Sequence, residues 1–377
     1  MKRRAMSLVC LCGILFFVFP FSLFPASLWN TPIAAQDQLR FPFTYRVWQI
    51  DSPGESFEIS QWMGTAWGGF SFGDTWSLAA STSSAGSTLN LEPSESLNGL
   101  TNLRAQLFGS FLDHHLQFQA GASLPTGKRE LTFEELTVED SLWNPVLGFP
   151  LRHYGQGFDM NIGLSWAMPL GSAWVFGLGG SYTINGAYAL EAGQPDYEPG
   201  DVVNITTGLD ASFTSLKLML DLTGRFFGAD GFDGVEVYDE GPQWEGRLQA
   251  QLFRRNFTWS THLQAIWKGE NGILSASQPE MPDLSPEGGR TLQLATDGRW
   301  GLSHQWAAGI TLSWMQFVGY EDESKTGWSA GFGPLVGWSS GKSLSAVLRW
   351  AMLTGALDSG NTDLSGNDLS LALSWNL

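Results

Sequence analysis

The chain has 377 residues, with 20 lysines and arginines against 37 acids, for a net charge of -17. Such a surface repels nucleic acid and favours cations, so no nucleic-acid partner is expected. Glycine at 45 and tryptophan at 18 are both high for a soluble domain, and no stretch beyond the N-terminal region approaches the ~18 consecutive apolar residues of a helical span.

Lys2, Arg3 and Arg4 precede an apolar run from Leu8 to Leu28, and Pro32-Ile-Ala-Ala35 follows. A charged start, an apolar middle and small residues at the end make a secretory signal, with cleavage expected after Ala35 and a mature chain of 36–377. The competing reading is a retained apolar anchor, although Pro20 and Pro25 interrupt the run. Both cysteines, Cys10 and Cys12, fall inside the signal, and neither has a lipoprotein context. The mature chain is therefore expected to form no disulfide and no cysteine-ligated metal site. Losing three positive charges and no acids takes the net charge from -17 to -20.

Beyond the signal one unit repeats: an alternating strand, a tight turn, a second alternating strand, a longer polar loop. Residues 41–50 (Phe41, Phe43, Tyr45, Val47), 57–67 and 74–84 (Trp76, Leu78, Ala80) carry the pattern weakly, with a turn at Phe70-Ser-Phe-Gly-Asp74. From about residue 100 it is strong. Leu116, Phe118, Ala120, Ala122 and Leu124 share one face, as do Phe158, Met160, Ile162, Leu164, Trp166 and Met168. Similar faces recur to the end, where Leu369, Leu371, Leu373, Trp375 and Leu377 alternate with Asp368, Ser370, Ala372, Ser374 and Asn376. Strict period two is a strand with one greasy and one polar face. Ten residues of it can cross a bilayer at a tilt, which takes about 9–11.

Trp306 and Trp314, Trp328 and Trp338, and Trp259 and Trp267 bracket the greasy faces, the double girdle expected at two headgroup layers. A soluble sandwich core is the competing reading, but it rarely sustains such alternation strand after strand. Short turns near 113–115, 170–172, 214–215, 254–256, 303–305 and 339–342 alternate with long connections at 125–156, 185–201, 228–242, 269–289, 319–327 and 354–367. Short turns on one side and long loops on the other is the outer-membrane pattern. The fold class is thus all-β, a transmembrane antiparallel up-and-down barrel. Thirteen strands lie beyond residue 100, and evenness favours sixteen in all over fourteen.

The opposite face of each strand is expected to line the lumen. It places Arg104, Asp221, Arg225, Glu245, Arg247, Asp297, Arg299 and Arg349 there, with amides such as Gln249 and Gln264. Two readings compete: a constriction with a transverse field, or ordinary salt-bridge ladders.

The connection 125–156 contains Thr132-Phe-Glu-Glu135, a capping-box pattern. Leu136, Leu142, Trp143, Val146, Leu147 and Phe149 give it an apolar side. A short helix folding into or over the barrel mouth is expected, as a lid or plug; a flexible surface loop is the alternative. Acids cluster in other loops, at Asp230, Asp233, Glu236, Asp239 and Glu240, at Asp196, Glu198 and Asp201, and at Glu321, Asp322 and Glu323. None has EF-hand spacing, so solvation is expected rather than metal binding. No G-x-S-x-G occurs, and His153 near Asp159 and Ser165 in sequence is a chance-level coincidence. No catalytic residue, cofactor or metal is expected.

Gly121-Ala-Ser-Leu-Pro-Thr-Gly-Lys128 closing one strand and Arg152-His-Tyr-Gly-Gln-Gly-Phe-Asp159 opening the next, with Tyr197-Glu-Pro-Gly-Asp201, resemble transporter-type outer-membrane barrels. The phenol-degradation-pathway outer-membrane proteins and the fatty-acid-transporter class of channels are similar over roughly residues 100–230. The resemblance implies passage of small, often apolar solutes. Two departures stand out: no long N-terminal plug precedes the first strand, and the chain ends in Leu377 rather than an aromatic, with Trp375 two residues in.

The expected function is passive uptake or efflux of an unspecified small solute across the outer membrane of a Gram-negative-type bacterium. Expected partners are outer-membrane lipid and, through residues 368–377, the assembly machinery. The alternatives are a structural or adhesive barrel acting through its acidic loops, and an outer-membrane enzyme.

Overall fold

The structure is a computed structural model that describes residues 37–273, 288–319, 326–341 and 343–377. The expected signal, with Cys10 and Cys12, and the acids Glu321, Asp322 and Glu323 lie outside the described residues.

Sixteen antiparallel staves close into one barrel. In chain order they are β1 (Gln38–Ser52), β2 (Glu55–Phe72), β3 (Trp76–Asn90), β4 in two pieces (Glu95–Leu100 and Leu103–Phe111), β5 (Leu116–Leu124), β6 (Asp159–Leu170), β7 (Trp174–Ile184), β8 (Val202–Ser212), β9 (Leu216–Phe227), β10 (Gln243–Arg254), β11 (Phe257–Lys268), β12 (Gly289–Gly301), β13 (Trp306–Gly319), β14 (Gly327–Ser339), β15 (Leu344–Leu357) and β16 (Thr362–Asn376). Each pairs with its sequence neighbours, and β1 closes on β16 from Gln38 opposite Asn376 to Asp51 opposite Asp363. Closure removes the sheet edges that would otherwise expose unpaired backbone to lipid. The seam ends where Leu377 N–H donates to Asp37 O at 2.9 Å. The turn anticipated at residues 70–74 lies slightly later, because β2 runs to Phe72 and Gly73 takes a positive φ of 68° in the connection to β3.

The greasy faces point outward. Ile162, Leu164, Ile205, Leu220, Leu248, Leu312, Leu348 and Met352 are all exposed around the barrel wall. A water-soluble protein does not present a contiguous apolar belt of this extent, whereas lipid is its natural solvent. Trp306 and Trp338 stand opposite each other at the turn end, while Trp328 and Trp267 stand near the loop end. The wall is thus a transmembrane one, with short turns at one end and the long connections at the other, where β1–β2, β3–β4 and β15–β16 are also joined by short turns. The long connection expected at 354–367 shrinks to residues 358–361 because β15 and β16 extend into it.

The staves are unequal. β1, β2 and β3 hold 15, 18 and 15 residues, whereas β5 holds 9. The long staves rise above the short ones at the loop end. There β4 is broken at Thr101-Asn102. Below the break it pairs with β5, from Leu103 opposite Leu124. Above it, Leu100 O accepts from Lys128 N at 3.2 Å, so the chain leaving β5 turns along the free edge of β4.

Parts of three further connections do not stay as solvated loops. Tyr188–Ala189, Asp196–Glu198, Ala229–Phe232, Val235–Asp239 and Gly272–Ile273 form a second, five-stranded sheet at the mouth. Tyr188, Leu190 and Tyr197 make its small core. The Tyr197 hydroxyl donates to the Asp230 carboxylate, whose other oxygen accepts from Gly200 N at 2.7 Å. Burial pushes the Tyr197 hydroxyl well above the usual tyrosine range and raises the Asp230 carboxyl from its ordinary value. Asp230, read in the sequence as one of a solvated acid cluster, is a buried structural residue.

Candidate functional site

Residues 125–158 enter the barrel. Their helix α1 (Phe133–Ser141) begins at Thr132, whose hydroxyl accepts from Glu135 N while the Glu135 carboxylate accepts from Thr132 N, a complete capping box. Lys128 pairs with the same Glu135. After the helix, Asn144 caps a short turn at Pro145–Leu147, and Gly148 takes a left-handed conformation that turns the chain back.

The apolar side of this segment meets an apolar patch on the inner wall. Val138, Leu142, Val146, Leu147, Phe149 and Tyr154 share one buried core with Trp48 and Ile50 of β1, Ile59 and Met63 of β2, Ala85 and Leu89 of β3 and Leu97 of β4. Phe317, Ala351, Leu353 and Leu364 complete it from β13, β15 and β16. All these wall residues sit toward the loop end of their staves. Burying each large side chain contributes about 1.5–3 kcal/mol before the entropy of ordering the segment is counted.

Polar bonds fix the register. Trp48 Nε1 donates to Leu147 O at 2.7 Å and Ser329 Oγ to Val146 O at 2.7 Å. Gln61 bonds Leu151 twice, donating to its carbonyl at 2.8 Å and accepting from its N–H at 3.0 Å. Arg46 is held by Asp368 and also donates to Leu147 O and Gly148 O. These bonds satisfy backbone groups that no regular element serves.

The two stems of the segment converge on Asn102, in the β4 break. Its amide donates to Ser123 Oγ at 3.1 Å, Gln156 O at 3.1 Å and Gly157 O at 3.2 Å, and its carbonyl oxygen accepts from Gly127 N at 3.1 Å. A Cβ on Gly127 would collide with Tyr154 O, which explains glycine in Pro125-Thr-Gly-Lys128. Nothing in the sequence pattern singles out Asn102; its only signal is a polar Thr-Asn pair interrupting a long strand.

Of the lid residues expected from sequence, Leu142 is fully buried in the shared core and Leu136 packs against it. Trp143 lies outside that core. It is half-buried, with its ring 4.4 Å from that of His153 and the Arg152 guanidinium 5.8 Å from its centroid. His153 Nδ1 lies 3.3 Å from Glu139 Oε1, not beside Asp159 or Ser165.

The wall from β8 to β12 is different. Its inward residues are polar and form rungs. Asp210, Met219, Gln249 and His262 lie on one rung across β8–β11. Gly208, Asp221, Arg247, Gln264 and Gln293 lie on the next, and Thr206, Thr223 and Glu245 on the one above. Glu245 gathers Arg225 at 2.7 Å together with Arg247 and Gln264. Asp297 of β12 accepts from Arg299 at 3.2 Å and from Arg349 at 2.8 Å, although Arg349 stands three staves away on β15. Arg104, on β4, has Asp159 of β6 as its electrostatic partner. Six of the eight charges expected in the lumen thus form two carboxylate-centred knots, around Glu245 and around Asp297.

No family model and no curated protein matches this chain. Among solved structures, a bacterial polysaccharide outer membrane secretin overlaps at TM-score 0.47 and 8% identity, over 91% of this chain and 99% of that one. A Pseudomonas aeruginosa FadL homologue overlaps at TM-score 0.45 and 11% identity, over 94% and 95%. The COG4313 outer membrane channel from Pseudomonas putida F1 gives 0.40 and 10%, over 95% and 98%. It is the strand pairing and the outward apolar belt described above that assign the fold.

Proposed function

We propose that the chain is an outer-membrane channel for small solutes, with residues 125–158 acting as a plug that narrows it. The observation that supports this most is the one-sided seating of the segment. Its apolar face packs on β1–β4, β13, β15 and β16, with Ser329 of β14 bonded to Val146 O, while the inward residues of β8–β12 are mostly polar and charged. A hydrated path between segment and charged wall follows. Arg225, Glu245, Arg247, Asp297, Arg299 and Arg349 would set the field that a solute meets there. Residues 1–35 serve as a cleaved export signal in this reading, and residues 368–377, the tail of β16, as the handle for the assembly machinery.

Planar-bilayer recording tests it. The full mature chain is expected to conduct, and deletion of residues 130–149 to raise single-channel conductance while the protein stays heat-modifiable on gels. Absence of conductance from both forms would favour a surface barrel that works through its mouth sheet.

A further inference from the structure

The rungs on the inner wall carry more hydrogen-bond acceptors than the protein uses. Asp210 is only 7% exposed, yet its Oδ1 accepts from no described residue. On the same rung Gln249 Oε1 and His262 Nδ1 are likewise buried without a partner, and on the next rung Asp221 Oδ1 is too. Buried polar atoms are normally satisfied, because leaving one unpaired costs about 1–3 kcal/mol. Four uncommitted atoms on two adjacent rungs are therefore a pattern, and three of them are oxygens.

The neighbouring cations donate no hydrogen bond to these oxygens, although the Arg247 charge stands beside Asp221. Arg247 stands directly opposite Asp221, but its Nε is turned to Glu245. Arg225 is bonded to Glu245 as well. Lys217, at the foot of β9, lies over the Phe253 ring at 5.8 Å. Gly208 leaves room for the Asp221 carboxylate, since a Cβ there would stand 2.6 Å from Oδ1. By sheet geometry Asp210 and Asp221 are diagonal neighbours roughly 7–8 Å apart, with their Cβ atoms somewhat closer. Met219, between Asp210 and Gln249 on the rung, offers a soft apolar contact beside the oxygens.

We infer that Asp210, Asp221 and Gln249 form a binding site on the inner wall for an organic cation with an alkylammonium head. The ammonium donates to the carboxylate and amide oxygens, and the first methylenes rest on Met219. This rests on the channel reading for its meaning as a solute site, but binding itself does not require conduction.

Calorimetry on the detergent-solubilised mature chain tests it, with butylammonium as the probe and butyrate as its anionic counterpart. Butylammonium is expected to bind at least tenfold more tightly than butyrate. Asp210→Asn and Asp221→Asn are each expected to weaken it at least tenfold, whereas Asp363→Asn, on the outer face, leaves it unchanged. Both inner variants are isosteric, and heat-modifiability checks that each is folded. No binding of either probe, equal binding of both, or butylammonium binding that survives both substitutions overturns the site. Conductance without butylammonium binding refutes the site and leaves the channel standing. Binding without conductance does the reverse.

Discussion

The inner surface of this barrel has two halves that follow opposite rules. Along β1–β4 and β13–β16 the inward residues near the loop end are Trp48, Ile59, Met63, Leu97, Phe317 and Leu353, and they behave as a protein core. Along β8–β12 the inward residues are Asn204, Asp210, Asp221, Glu245, Gln264 and Asp297, and they behave as a polar wall. A lumen need not be uniform. One half holds a segment in place by apolar packing, which is dry and non-directional. The other gathers charges around Glu245 and Asp297 and leaves Asp210 and Asp221 oxygens uncommitted, which keeps a polar surface facing the same interior.

The sharpest way to break this contrast is to place the same charge on both halves. Leu142→Asp puts an unpaired carboxylate into the shared core and is expected to cost roughly 3 kcal/mol or more. Gln251→Asp, on the polar wall, is expected to cost under about 1 kcal/mol. Limited proteolysis of residues 125–158 in reconstituted protein reads the difference. Equal resistance in the two variants would mean that the apolar patch does not hold the segment.

A second comparison runs through the wall rather than around it. Leu348→Arg, on the lipid side, is expected to destabilise the barrel by ~2–4 kcal/mol, and Gln249→Arg, on the inner side, by much less. Denaturant unfolding in lipid vesicles measures both. Similar losses would show that the inner wall near Gln249 is as dry as the bilayer.

The smallest of the three effects concerns the stems. Asn102→Ala removes the bonds to Ser123, Gln156, Gly157 and Gly127, at a cost of ~1–3 kcal/mol. Because the apolar seat is untouched, the segment is expected to stay inside but exchange more freely. The expected readout is faster amide exchange at Gly127 and Gly157, with conductance noise rising and its mean little changed. A segment fully released by this one substitution would place the anchorage in the stems rather than in the core.

Much of the architecture can be read from the chain, and the places where reading fails are physically related. From Leu116 onward the alternation is clean, because lipid lies on one side and polar lumen on the other. In β1–β3 it blurs: Phe41, Phe43 and Tyr45 face out while Trp48 and Ile50 face in, so both faces look greasy. β3 even inverts toward its loop end, with Ser84, Gly86 and Thr88 outward and Ala85 and Leu89 inward. The residues that weaken the strand signal are thus the seat of the inserted segment. The capping box at Thr132 and Glu135 is legible because it is local. Asn102 and the pairing of Tyr197 with Asp230 are not, since each depends on partners brought together by the closed barrel. The knot at Asp297 is half legible: Arg299 is two residues away, but Arg349 arrives from a distant stave.

The one-sided seat also constrains the order of assembly. Val146 meets Ser329 across 183 residues of sequence, and Arg46 meets Asp368 across 322. The segment between β5 and β6 therefore cannot finish its packing until the last four staves have been made, and bringing such remote partners together is slow. The contacts that seat the segment reach both β1–β4 and β13–β16, so they tie the two ends of the chain together from inside the barrel. The inserted segment is, on this view, an internal brace for the seam: it holds β16 to β1 from within.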